Sequence, residues 1–169
     1  MGKEIKETTL ELLEEILERM GLMINKEKSK KVKAKTESFN FLGFTVRYDK
    51  DLWKEGKYYW NILPSEKAQK KVRENISETL TKKRSSNPTE LTEALNKIMR
   101  GWLNYYSIES VSYTKVAKKK LRYYLVQKLY RYYKKKSQRK CKLYRKGAFN
   151  VLVDKYGLIN PCTYSLKIL

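Results

Sequence analysis

Histidine is absent from this 169-residue chain, and cysteine occurs twice, at Cys141 and Cys162. Two thiols are too few for a disulfide scaffold or a zinc finger, and no imidazole is present to complete a tetrahedral set, so no structural zinc site is expected. They read as thiols of a reducing compartment, a single bridge between them being the alternative. Aspartate is scarce too, confined to Asp49, Asp51 and Asp154. Two-metal phosphoryl chemistry needs carboxylates converging on ions roughly 3.5–4 Å apart. Asp49 and Asp51 fall where a strand should turn, and Asp154 lies far along the chain, so the pair reads as shaping a hairpin. No apolar run is long enough to span a bilayer. The opening "MGKEIKETTLELLEEI" lacks the apolar core of a signal peptide, and Ile5 and Lys6 stand where a myristoylation signal after Gly2 would want Ser or Thr.

Positive charge is what the chain has in excess. Thirty-nine Lys and Arg face 18 acids, for a net charge of +21. Such an imbalance implies an anionic partner, with nucleic acid expected over a membrane surface or an acidic protein. The hydrophobic fraction of 41% is enough for a core, and the length suits one domain or two small packed units.

The first twenty residues are unlike the rest, with six Glu against three Lys or Arg. Thr8 and Glu11 fit a capping box. Leu10, Leu13, Leu17 and Met20 recur at helical spacing, and Gly21 can close the helix with Leu22 folded back over its last turn. A basic connection follows, with a short strand expected near Val32. "SFNFLGFTVRY" has strand propensity, with burial on both faces expected near its middle. "DKDLWKEGK" supplies a turn and "YYWNIL" a returning strand. Ser65 can cap a helix carrying Ala68, Val72, Ile76 and Leu80. Asn87, Pro88 and Glu90 open another, whose stripe is Leu91, Leu95, Ile98 and Trp102, widened by Ala94 and Met99. Gly101 inside that helix calls for close packing or a small bend.

Between Val111 and Lys146 there are fifteen Lys or Arg, seven Tyr and no acid. Leu121, Tyr124, Leu125, Leu129 and Tyr132 give helical spacing, so the charges are mounted on an ordered element. Phosphate contact is expected from Lys118, Lys119, Lys120, Arg122, Lys128, Arg131, Lys134, Lys135, Lys136, Arg139, Lys140, Lys142, Arg145 and Lys146, without sequence readout and with steep salt dependence. Tyr124 and Tyr132 belong to the apolar stripe. Tyr123, Tyr130 and Tyr133 lie off it and are the candidates for stacking on unpaired bases.

Two phrases carry a resemblance. "GLMINKEKSKKV...FNFLGFTV" resembles the end of the reverse-transcriptase palm of group II intron-encoded proteins, and "LNKIMRGWLNYYS" is similar to the start of their maturase-specific thumb, or X domain. The match implies an α+β chain: a palm remnant of one helix and a β-hairpin over residues 1–63, then a helical thumb over 64–169. It assigns Gly21, Leu22, Asn25, Lys28 and Ser29 to the exit of a palm helix. Phe41, Leu42, Gly43 and Phe44 become the tight hairpin at the primer end. Gly101, Trp102, Asn104, Tyr105 and Tyr106 become the phrase that organises the thumb. The family's aromatic-x-Asp-Asp loop would precede the first helix and is not among these residues, so the chain on its own is expected not to be an enzyme. The implied role is non-catalytic binding of structured RNA, maturase-like stabilisation of a group II intron for splicing. No cofactor is expected in the chain, and Mg²⁺ would belong to the RNA or to a complete polymerase. An RNA–DNA duplex and a separate N-terminal reverse-transcriptase fragment are further implied partners; a membrane is not. The alternatives are one piece of a split or truncated reverse transcriptase and a degenerate remnant. A bacterial cytoplasm is the expected location, an organelle the other.

Overall fold

Ser65 and Asn87 each start a helix, as their positions predict. In the computed structural model, Ser65 Oγ accepts from the Ala68 N–H at 3.2 Å, and Asn87 Oδ1 accepts from the Glu90 N–H at 2.9 Å. Each thereby satisfies a helix donor that would otherwise have no partner. The structure describes residues 7–27, 29–109, 111–136, 143 and 147–165. Among these it contains α1 (Glu7–Arg19), β1 (Phe39–Phe41), β2 (Phe44–Lys50), β3 (Tyr58–Pro64), α2 (Glu66–Lys82), α3 (Pro88–Tyr106), α4 (Lys115–Lys135) and α5 (Ala148–Tyr156). The chain divides into two units, Met1–Lys33 and Ala34–Leu169.

In the first unit, Thr8 lies inside α1 and does not cap it. The first-turn carboxylate of Glu7 suits the positive end of the helix dipole. Gly21 closes the helix with φ +71°. The Gly21 N–H donates to the Glu18 carbonyl and the Leu22 N–H to the Leu17 carbonyl, both at 2.9 Å, the paired bonds of a Schellman cap. No α1 side chain is buried. No strand forms near Val32.

The second unit is α+β: an antiparallel sheet of order β1-β2-β3, followed by a helix bundle. The expected single strand over "SFNFLGFTVRY" is two. Phe41 pairs with Phe44 across a two-residue turn, in which Leu42 has φ +47° and Gly43 φ +82°. Positive φ at both central residues belongs to the type I′ hairpin turn, whose twist matches that of the strands. The turn breaks the alternation, so Phe41 and Leu42 are exposed and only Phe44 is buried. At the other hairpin, Asp51 Oδ1 accepts from the Trp53 N–H at 2.9 Å and so shapes the loop. Asp49 sits on β2, holding Arg47 at 2.9 Å and Asn61 at 2.7 Å.

Val72, Ile76 and Leu80 of α2 meet Leu91, Leu95, Met99, Trp102 and Leu103 of α3 in the core. Ile98 is only partly buried beside them. On α4 the buried row is Ala117, Leu121, Leu125, Leu129 and Tyr133, an unbroken i+4 series. Such a row slants around the helix as a packing ridge. It therefore reaches Tyr133, 1% exposed, and leaves Tyr124 and Tyr132 on the flank, reversing the assignment of Tyr133 as a stacking residue. From α5, Phe149 and Leu152 close the bundle. Gly157, φ +69°, ends α5 and lets the Leu158 N–H reach the Leu152 carbonyl at 2.9 Å.

Candidate nucleic-acid interface

The two phrases singled out in the sequence meet in space. The Leu42 carbonyl accepts a 2.9 Å hydrogen bond from the Tyr105 hydroxyl. Phe44 packs on Tyr105 (centroids 5.8 Å apart, 22°) and edge-on to Tyr106 (5.0 Å, 63°), which in turn contacts Trp102 at 5.1 Å. A Cβ on Gly43 would lie 2.5 Å from the Tyr106 hydroxyl, so glycine is required there by both φ and space. Burial, reinforced by the neighbouring Tyr105, raises the Tyr106 pKa. Asn104 accepts from the Tyr164 hydroxyl at 2.6 Å. Tyr105 and Tyr106 are therefore spent on joining the sheet to the end of α3, and Asn104 on holding Tyr164. Gly101 is different: nothing lies within 4 Å of its would-be Cβ, so of the two expected explanations, close packing or a small bend, close packing is not there.

Beyond this clasp, the polar face of the sheet and the start of α4 border an open groove of about 1700 Å³. Strand alternation puts Asn40, Thr45, Arg47, Tyr59 and Asn61 on its sheet wall. α2 contributes Lys67, Lys70 and Arg73, and α4 contributes Lys115, Lys118 and Lys120. Among the described residues, Glu66 is the one carboxylate lining it. Burial lowers the Lys118 pKa, an effect the nearby Cys162 partly offsets. A smaller cavity of about 590 Å³ continues along α4, lined by Lys119, Tyr123, Gln127 and Arg131 and sharing Arg73 and Lys120 with the first.

Contacts between α2 and α4 hold the two cationic helices side by side. Tyr124 donates to the Arg73 carbonyl at 2.9 Å, Lys128 to Ser77 at 3.1 Å, and Tyr132 to the Lys83 carbonyl at 2.7 Å. Both partners of these contacts advance together along their helices, so α2 and α4 run in the same direction. Burial raises the Tyr132 pKa, against a smaller opposing effect of Arg84. Several cations of the expected set are occupied within the fold. Lys136 bonds the Ser86 carbonyl and lies over the Tyr132 ring at 5.3 Å, Lys128 lies over Tyr124 at 5.5 Å, and Arg122 lies over Phe149 at 5.4 Å. Lys134, Lys135 and Tyr130 are exposed but line neither groove. Lys28, Arg139, Lys140, Lys142, Arg145 and Lys146 lie outside the described residues. The α2 cations and Arg47 were not among the expected contacts. Their signal was faint, because Glu66, Glu74 and Glu78 are interspersed with them on α2.

Residues 69–147, which hold α2 from Gln69 onward together with α3 and α4, match the family model of the group II intron maturase-specific domain. The chain carries a group II intron maturase-specific domain. A search of curated proteins returned no match. The maturase-specific domain takes in the α2 and α4 walls of the groove, including Arg73, Lys118, Lys120 and Tyr123, and most of the clasp on α3. Its presence supports a non-catalytic, RNA-binding, maturase-like role. Among the described residues no cluster of three His, Cys, Asp or Glu could hold a metal ion, and no helix is long and apolar enough to cross a membrane.

Proposed function

We propose that residues 34–169 bind structured RNA along the groove between the sheet, α2 and α4, and so favour the compact, splicing-competent form of a group II intron. The observation that carries this reading is the convergence of cations from three elements on one groove within and beside the maturase-specific domain. α4 opens with Lys115, Lys118, Lys119 and Lys120 and no acid. These cations repel each other and meet the positive end of the helix dipole, and a polyphosphate relieves both. The RNA and its Mg²⁺ perform the chemistry; the protein lowers phosphate repulsion. On this reading residues 1–63 are the end of a reverse-transcriptase palm and 64–169 a thumb, and a bacterial cytoplasm is the setting.

A second reading is favoured by α1. Leu10, Leu13, Ile16 and Met20 form an apolar stripe, yet α1 buries no side chain. An exposed stripe of this kind is what one piece of a split reverse transcriptase would show without its N-terminal partner.

The test is binding of the purified chain to group II intron RNA, a scrambled RNA of equal length and an RNA–DNA duplex across a salt series. Preference for the intron that survives about 0.15 M salt supports the maturase role. Equal affinity for all three, lost together as salt rises, reduces the interaction to charge and moves the split-polymerase reading ahead.

A further inference from the structure

Within the smaller cavity the chemistry changes from charge alone to charge around an aromatic face. Tyr123 is 68% exposed, and among the described residues its ring and hydroxyl have no partner. Its neighbour Tyr124 is held against α2 by the bond to the Arg73 carbonyl and lies under Lys128, so the cavity floor is fixed while Tyr123 stands above it. Lys119 and Lys120 lie one turn before Tyr123 and Gln127 one turn after, on the same side of α4. Gln127 is half-buried there, and its amide makes no hydrogen bond among the described residues. Arg73 closes the cavity from α2. A paired duplex offers phosphates to such a site but keeps its base faces stacked. Only an unpaired nucleotide can use the ring and the amide as well.

Resting on the RNA-binding reading above, we infer that this cavity captures a single unpaired nucleotide of a bulge or loop. The base stacks on Tyr123, Gln127 hydrogen-bonds its edge, and Arg73, Lys119 and Lys120 hold the flanking phosphates.

The experiment compares an RNA hairpin carrying one bulged 2-aminopurine with the same hairpin fully paired, at one salt concentration, for the full chain and three variants. Stacking quenches 2-aminopurine fluorescence, which gives a readout that phosphate contact does not move. The expected result is tighter binding of the bulged RNA by about 5- to 100-fold, with quenching. In Tyr123→Ala both the preference and the quenching disappear, while affinity for the paired hairpin stays within about 2-fold. Tyr123→Phe keeps both, because the ring face is what the base uses, and Gln127→Ala keeps the quenching but lowers the preference for the bulged RNA. Equal affinity of the native chain for the two RNAs, or an equal loss for both in Tyr123→Ala, overturns the inference and leaves the groove reading standing. Failure to bind either RNA at low salt overturns the groove reading itself.

Discussion

At the end of α3 the adjacent tyrosines both serve one partner: Tyr105 bonds the carbonyl of the β1–β2 turn and Tyr106 fills the space beside Gly43. On α4 an adjacent pair divides. Tyr124 is anchored on α2, and Tyr123 is exposed along the cavity. Neighbouring helix residues point about 100° apart, so mid-helix they face different surroundings, whereas at a helix terminus a tight turn can nestle between them. The residue type is the same in both places. What decides between fastening the fold and meeting a ligand is the element that lies opposite.

The contrast can be broken from either side. Tyr106→Ala should cost about 3 kcal/mol in urea unfolding, since it removes packing on Phe44 and Trp102, and should leave the salt slope of RNA binding unchanged. The paired reversal Arg73→Glu and Lys120→Glu should do the opposite, lowering RNA affinity about 100-fold and flattening its salt dependence, with little effect on stability. Reversal of the exposed Lys97 on α3, outside the groove, is the control. Gly43→Ala should destabilise by about 1–2 kcal/mol through its positive φ, with a further steric part that Tyr106→Phe relieves in a double-mutant cycle. Gly101→Ala should stabilise by about 0.5–1 kcal/mol in thermal unfolding, because nothing occupies the space its methyl would take.

The smallest effect concerns pH. Tyr106 and Tyr132 hold their protons more tightly folded than unfolded. Their contribution is intact below the ordinary tyrosine value of 10.0 and is lost as pH rises through the raised folded values. Lys118 acts in the other sense, since its lowered pKa means that the folded chain gains as pH climbs towards 10.5. Denaturant midpoints measured between neutral pH and about pH 11 should therefore fall less steeply for Tyr132→Phe than for the native chain.

Much of this fold could be read in advance, and the exceptions have definite causes. Ser65 and Asn87 were legible because capping is local chemistry. Val72, Ile76 and Leu80 were legible because they repeat at one helical spacing. The β1–β2 turn was not visible in residue pattern alone. Leucine is a poor occupant of a positive φ, and the usual Asn-Gly signal is missing; its setting, with the Leu42 carbonyl bonded by Tyr105, is supplied from far along the chain. Tyr133 was misplaced for a geometric reason, a strict i+4 row where an alternating three-and-four stripe was expected. Half of the groove was legible in the cations of α4. The rest, on α2 and the sheet, depended on these elements lying beside α4, which no local pattern encodes.

Helix α3 is tied to both flanks of its unit by bonds that span long stretches of chain. Tyr105 reaches back 63 residues to Leu42. Asn96 reaches forward to the Gly157 carbonyl and the Ile159 N–H, and Asn104 to Tyr164, over 60 to 63 residues. On a translating ribosome the backward tie can close as soon as α3 emerges. The forward ties must wait for residues 157–164, on the order of 3–12 s later at about 5–20 residues per second. During that interval the amides of Asn96 and Asn104 hold water, and Leu152 and Phe149 are not yet there to cover the core. The nascent chain therefore presents its cationic helices to nearby RNA before its own bundle has shut.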